Sequence, residues 1–304
     1  VTAGAHHEVV TTRSGARAIR DLATGELMHP TVGPLVEAEE LYVAPARLAQ
    51  RLAGESDSSL GGSSPPLVVL DVGLGAGSNA IAAWKRSEHA TARSRRLEIV
   101  SFDCTPSAME LALADENPAS FGFEPGAVAA ARELLAKGAS RTARTSWRLV
   151  LGDLLVTLRG EPAAEADVVF WDPFSPRANP SLWTVGAFAE VRRLCRAGAT
   201  LHTYSAATAT RSALLLAGFA VGVGSATGQK EQTTMAALRL SDLDRLLDRR
   251  WLDRLRRSSA PFPPDAPAGA FDLIAALPQF AGSESADVCA ARARSQASVP
   301  RRVG

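Results

Sequence analysis

The stretch LVVLDVGLGAGSN, residues 67–79, constrains the fold of this chain more than any other. An apolar run from Leu67 to Leu70 ends at Asp71, glycines follow at Gly73, Gly75 and Gly77, and a helix-like pattern starts near Ser78. The run has the length and β-branched content of a strand buried on both faces, as in a parallel sheet. Glycines at that spacing permit a tight turn and let backbone approach a ligand closely. Strand, glycine turn and helix in that order make a nucleotide-type binding turn.

Strands and helices then alternate. Strand patterns cover 67–72, 97–103, 147–151, 167–172, 199–204, 218–223 and 233–239; helix patterns cover 78–86, 106–116, 125–136, 184–196 and 206–216. This order predicts an α/β domain over 67–240 with a seven-stranded, mostly parallel sheet covered on both faces. Only Gly224–Gln232 separates the last two strands, which predicts an antiparallel edge strand. Residues 8–29 alternate apolar and polar positions with breaks at Ser14-Gly15 and Thr24-Gly25, and predict two or three short antiparallel strands. Residues 35–53 read as helix interrupted at Pro45, so that 1–53 forms a hairpin and helix segment packed on the main domain. The stretch GESDSSLGGSSPP (54–66) reads as an exposed loop.

A C-terminal helical extension, 241–304, follows. Ser241 and Asp244 form a capping-box pattern, and Leu243, Leu246, Leu247, Trp251 and Leu255 line one stripe, predicting a helix over Ser241–Arg257. Arg245, Arg249, Arg250, Arg254, Arg256 and Arg257 alternate with Asp242, Asp244, Asp248 and Asp253, a pattern read as a solvated face of cancelling charges. Residues 258–304 are rich in Pro, Ala and Ser; only FDLIAAL (271–277) has a packing pattern, and the remainder is expected to be partly irregular.

The 304 residues carry 33 basic and 32 acidic side chains, so no global charge marks a nucleic-acid binder and any such contact must be local. Three distant cysteines, Cys104, Cys195 and Cys289, give neither a disulfide framework nor a zinc site, and fit a reducing compartment. No stretch approaches the roughly 18 apolar residues of a membrane span, and no charged-then-apolar leader opens the chain. The expectation is a cytoplasmic protein without a membrane contact. His6-His7 and Cys104 have no neighbours suggesting a metal, and none is assigned.

In open α/β sheets the ligand lies at the carboxyl ends of the strands. There the chain places Asp71 with its glycine turn, Asp103 in VSFDCTP, Asp153 after Gly152, and Asp172 in FWDPFSP. Asp103 is placed to accept from both hydroxyls of a ribose, and Asp153 from an adenine amino group. Each acid alone also fits a helix N-cap after a strand. Four together suit a cationic sulfonium ligand bearing a ribose better than a dinucleotide pyrophosphate.

Asp172-Pro173-Phe174-Ser175 partly resembles the [Asn/Asp]-Pro-Pro-aromatic motif of amine methyltransferases, and the 67–79 turn resembles the first motif of class I S-adenosylmethionine (SAM)-dependent methyltransferases. An alkylammonium has no lone pair for attack on a methyl group. A carboxylate and backbone carbonyls can accept N–H bonds, aim the lone pair and take up developing positive charge. The resemblance then narrows to a family. WDPFSPRANPSLWTVGAF (171–188), TYSAATATRSALLLAGFAV (203–221), DVGLGAGSN (71–79), SFDCTP (101–106) and GPLVEAEELYV (33–43) resemble, in order, segments of the MnmC-like tRNA-modifying methyltransferases.

That resemblance implies a Rossmann-like class I methyltransferase fold and SAM as cofactor, held by Asp71, Gly73, Gly75, Gly77, Asn79, Asp103 and Asp153. It implies Asp172 as the residue that orients the acceptor amine, and tRNA bearing 5-aminomethyl-(2-thio)uridine at the wobble position as substrate. It further implies a stand-alone methyltransferase whose aminomethyl precursor is made by a separate enzyme. Phe174, Arg177 and Lys230 are assigned to substrate: Phe174 as a stacking platform or as core, Arg177 and Lys230 as phosphate contacts or solvated loop charges. Trp183 admits the same two readings as Phe174; Trp171 is assigned to the core. His29 matches a family histidine and has either a packing or a catalytic role. The sequence departs from the family pattern at Met28-His29-Pro30, at Gly228-Gln229-Lys230-Glu231-Gln232 and in the extension. Two other acceptor chemistries suit the same fold, a small-molecule amine methyltransferase and a polyamine-synthase-like aminopropyltransferase.

Overall fold

In a computed structural model of the chain, which describes residues 6–29, 32–53, 64–91, 93–225 and 232–281, the apolar run is a strand buried at every position. The chain opens with β1 (His7–Thr11), β2 (Arg17–Asp21) and β3 (Leu27–Met28), a three-stranded antiparallel sheet. Then come α1 (Pro34–Ala38), a π-helical turn (Glu39–Val43) and α2 (Leu48–Ala53). The expected interruption at Pro45 falls between the last two.

The main domain runs β4 (Leu67–Val72), α3 (Ser78–Glu88), β5 (Leu97–Asp103), α4 (Ser107–Ala112), α5 (Asn117–Ser120), α6 (Pro125–Lys137), β6 (Ala139–Arg141), β7 (Thr145–Leu151), α7 (Leu154–Gly160) and β8 (Ala166–Trp171). It continues with α8 (Val185–Leu194), β9 (Cys195–Thr203), α9 (Thr208–Leu216), β10 (Ala220–Val223) and β11 (Thr234–Ala237). The sheet order is β10-β11-β9-β8-β4-β5-β7-β6. Strands β9, β8, β4, β5 and β7 pair in parallel; β6, β11 and β10 pair antiparallel at the two edges. The expected seven strands and their closing hairpin are present, and β6 adds an eighth. Three residues are too short to carry a strand pattern.

Alternation sorts the β4 side chains between two cores. Leu67 and Val69 join Tyr42, Leu48, Trp84 and Trp147 on one face; Val68, Leu70 and Val72 join Trp171, Trp183 and Phe188 on the other. Asp71 therefore points to the face that α3 and the N-terminal helices cover. Among the described residues no helix is long and apolar enough to cross a membrane.

The extension corrects the expected helix at 241–257. Leu240–Asp242 form a single 3-10 turn, and the residues after it are extended. The Val223 amide donates to Arg245 O (2.8 Å) and the Leu247 amide to Val221 O (2.9 Å), with a bridge between Gly222 and Leu246. The open edge of β10 competes for these backbone groups and wins over the Ser241 capping box. The helix, α10 (Arg249–Arg257), starts only at Asp248, whose carboxylate accepts from the Trp251 amide. It is followed by α11 (Ala270–Ala275) and α12 (Pro278–Ala281), and Trp251 stacks on Phe280 at 6.0 Å.

Candidate active site

The glycine turn is shaped by what lies behind it. Gly73 has φ +86°, and a Cβ there would sit 2.6 Å from the Asp172 carbonyl oxygen. Only glycine lets the turn after β4 touch the backbone that follows β8. Backbone bonds lock the neighbouring strand ends: the Gly73 amide donates to Phe102 O (3.0 Å), the Asp172 amide to Val72 O (2.9 Å) and the Gly152 amide to Asp103 O (2.9 Å). The Asp103 carboxylate closes the turn from the other side, accepting from the Gly75 amide through Oδ2 (3.0 Å) and from the Cys104 amide through Oδ1 (2.7 Å).

Asp172 is the meeting point of three elements. Its Oδ1 accepts from the Tyr42 phenol at 2.5 Å and its Oδ2 from Asn79 Nδ2 at 2.8 Å. His29 Nε2 lies 3.5 Å from Oδ2, with side-chain exposures of 10% for His29 and 16% for Asp172. His29 holds a left-handed backbone, φ +51°, a conformation unusual outside glycine. Burial and the adjacent carboxylate push the Tyr42 phenol well above its ordinary range, so it stays a donor. The two carbonyls after Asp172 are also engaged: Tyr204 donates to Pro173 O (3.0 Å) and Trp183 Nε1 to Phe174 O (2.9 Å).

Asp71 lies beneath the turn, fully buried. Its Oδ2 accepts from Ser101 Oγ (2.7 Å), which in turn accepts from Trp147 Nε1 (2.9 Å). Burial pushes its carboxyl up to about 7; the Ser101 bond opposes that shift, and Asp172 and Asp103 add to it. Three carboxylates at close quarters favour a cation between them. Asp71 Oδ1, Asn79 Oδ1 and Ser78 Oγ are buried without a protein partner. Each such atom costs about 1–3 kcal/mol unpaired, so the cradle suits a polar ligand.

The N-terminal sheet roofs this cradle and is fastened on both sides. On one side Ser107 Oγ bonds to His7 Nδ1 (3.0 Å), and His7 Nε2 lies 3.4 Å from Asp21 Oδ2. On the other side the Glu26 carboxylate accepts from the Ser175 amide (2.9 Å) and the Ser175 hydroxyl. Met28 covers Gly75, its Sδ 3.2 Å from where a Cβ would stand.

The structure thus gathers Asp71, Gly73, Gly75, Gly77, Asn79, Asp103 and Asp172 around one turn. Asp153 is at the end of β7, where its carboxylate caps α7 by accepting from the Val156 amide (3.2 Å). Phe174 is half-buried and Arg177 exposed, while Lys230 lies outside the described residues. Trp171 and Trp183 are both core, at 0% and 3% exposure, packed edge-on 6.5 Å apart. Tyr42, Met28 and Tyr204 lie in segments compared with the family above, but their site roles, like that of Glu26, depend on partners far away in the chain.

A family described as S-adenosyl-L-methionine-dependent methyltransferase matches residues 130–239. The "tRNA 5-methylaminomethyl-2-thiouridine biosynthesis bifunctional protein MnmC" of Ralstonia nicotianae is 31% identical over 217 residues, 70% of this chain and 32% of that protein. The protein of the same description from Pseudomonas aeruginosa (strain UCBPP-PA14) is 33% identical over 219 residues, 69% of this chain and 32% of that protein. The chain spans about a third of the length of these relatives. The crystal structure of MnmC2 from Aquifex aeolicus superposes with a TM-score of 0.69 at 23% identity, covering 90% of this chain and 86% of that one.

Proposed function

We propose, on the premise that this chain belongs to the MnmC-like S-adenosyl-L-methionine-dependent methyltransferases, that it methylates the primary amine of 5-aminomethyl-2-thiouridine at the wobble position of tRNA. The observation that carries this reading is the Asp172 carboxylate, held by Tyr42 and Asn79 beside the glycine turn. When bound, SAM supplies a methyl group already activated on a sulfonium.

The chain's own residues then have four tasks. Asp103, its Oδ2 held by the Gly75 amide, presents an acceptor at the ribose end of the cradle. Asp71, Asp103 and Asp172 balance the positive charge of the cofactor. Asp172 accepts an N–H bond from the incoming amine and aims its lone pair along the line of transfer, where proximity and alignment supply much of the rate. The roof of Met28 and His29 excludes water from that line. Pro173 and Phe174 carbonyls, each holding one protein donor, keep the loop rigid and retain a second lone pair toward the amine.

The amine must be uncovered by an earlier activity, and a cytoplasmic location is part of the same proposal. The test is methyl transfer from labelled SAM to bulk tRNA from cells lacking the final wobble methylation, followed by nucleoside mass spectrometry. Conversion of the aminomethyl to the methylaminomethyl nucleoside is expected. Clear SAM binding with untouched tRNA, and turnover of small amines instead, would overturn the substrate.

A further inference from the structure

The arginines of the extension carry a consequence once the aspartates around them are accounted for. Residues 245–257 hold six arginines and two aspartates. Asp248 is spent as the N-cap of α10, and Asp244, just upstream, pairs with Arg47 at 2.5 Å. Arg256 stacks over Phe271 at 4.9 Å. Of the other five, Arg250, Arg254 and Arg257 lie on one side of α10. All three are exposed, and among the described residues no carboxylate stands within ion-pair distance of them, Asp253 included.

Their spacing, i, i+4 and i+7, aligns them in one stripe that flanks the buried face of Trp251 and Leu255. Like charges at those spacings repel. The stripe runs about 10 Å along the helix at 1.5 Å per residue. The extended segment before α10 runs antiparallel to β10, with Leu247 level with Val221, so the helix starts beyond the amino end of that strand. Burial, and then the positive charge of Arg254, lower the guanidinium of the buried Arg211 to about 10. Arg211 in turn donates to Thr234 Oγ1 and Thr233 O (both 3.0 Å), and Thr234 Oγ1 donates to the Ser205 carbonyl just past β9. The chain after α10 reaches the start of α8, where Asp265 accepts from the Val185 and Gly186 amides (both 2.9 Å).

We infer that the Arg250–Arg254–Arg257 stripe is the surface on which this chain holds the phosphate backbone of its RNA substrate. The inference rests on tRNA being the acceptor and adds where it is gripped. Arginine suits the task, because its planar donor fork matches phosphate oxygens.

The experiment is tRNA binding by fluorescence anisotropy across a salt series, for the wild type and for R250Q/R254Q/R257Q and R250K/R254K/R257K. The Gln variant is expected to bind at least tenfold more weakly. Its log–log salt slope should be shallower by about 2, from three contacts at about 0.7 each. The Lys variant should keep most of the slope, and all three proteins should bind SAM equally. A second measurement needs no variant: bound tRNA should protect these arginines from phenylglyoxal, read by mass spectrometry. Unchanged affinity and slope in the Gln variant, or unprotected arginines under bound tRNA, overturn the inference while leaving tRNA as acceptor. If the Gln variant keeps tRNA but loses anionic vesicles, the stripe serves another polyanion and the inference falls. A wild type that binds SAM and neither binds nor methylates tRNA overturns the substrate, and the inference with it.

Discussion

Tyr42 and Asp172, 130 positions apart in the chain, meet in a 2.5 Å hydrogen bond in which the phenol donates to the carboxylate Oδ1. Tyr42 is fully buried, packed 5.5 Å from the Phe170 ring, so the donor cannot swing away. Tyr42→Phe keeps the ring and removes the donor. A hydrogen bond to a charged group contributes about 1.5–3 kcal/mol, so single-turnover methyl transfer should slow by about tenfold or more. The SAM dissociation constant, by calorimetry, should stay within about twofold.

Asp172→Asn replaces the acceptor by a group that cannot accept at both positions. Turnover should fall by at least about a hundredfold, the range seen when one charge-stabilising group is removed from an active site. SAM should still bind appreciably. Near-wild-type turnover would falsify the amine-orienting role.

Asp103→Ala removes both the acceptor assigned to the ribose hydroxyls and the bond that holds the Gly75 amide. SAM binding should weaken by about 1–3 kcal/mol. An unchanged dissociation constant would move the ribose site elsewhere.

Gly73→Ala forces a methyl group to 2.6 Å of the Asp172 carbonyl in a left-handed conformation. The turn must shift, and both consequences are measurable. The melting temperature should drop by several degrees, since about 1 kcal/mol is lost to the backbone alone. SAM affinity and methyl transfer should fall together, because the same movement displaces Asp172.

His202 predicts an acid-sensitive fold. Burial, then the nearby Arg51, lowers its imidazole from the ordinary 6.5 to about 3, so it is neutral in the folded protein. The unfolded chain binds a proton first as pH falls. The stability due to neutral His202 is therefore whole above pH 6.5 and is lost between pH 6.5 and about 3, at about 1.4 kcal/mol per pH unit. His202→Gln should flatten that part of the stability curve in urea titrations at pH 4–7. An identical slope in both proteins would assign the acid sensitivity to other groups.

Much of this architecture is legible in the chain because strand ends are local signals. The apolar run, the glycines and the acid at each strand end lie within a dozen residues of one another, and the sheet order brings them together. The supports of Asp172 are legible only in part. Asn79 belongs to the glycine turn, but nothing around Tyr42 or Glu26 indicates partners 130 and 149 residues away. Asp153 shows the limit of reading a single acid, since its carboxylate also makes a helix cap. The extension misleads for a different reason. Ser241 and Asp244 have helix-start chemistry, but the backbone beside them finds an unpaired sheet edge, and that tertiary bond outweighs local preference.

The double fastening of the N-terminal sheet, to Ser107 on one flank and to Ser175 on the other, bears on how portable this catalytic unit is. A fragment cut to start at Leu67 retains all eight strands and every acid at their ends. It surrenders the phenol that grips Asp172, the imidazole beside it and the carboxylate that anchors the loop after it. The minimal length that completes the sheet is thus shorter than the minimal length that completes the site, and any graft of this chemistry onto another protein has to carry the first fifty residues along.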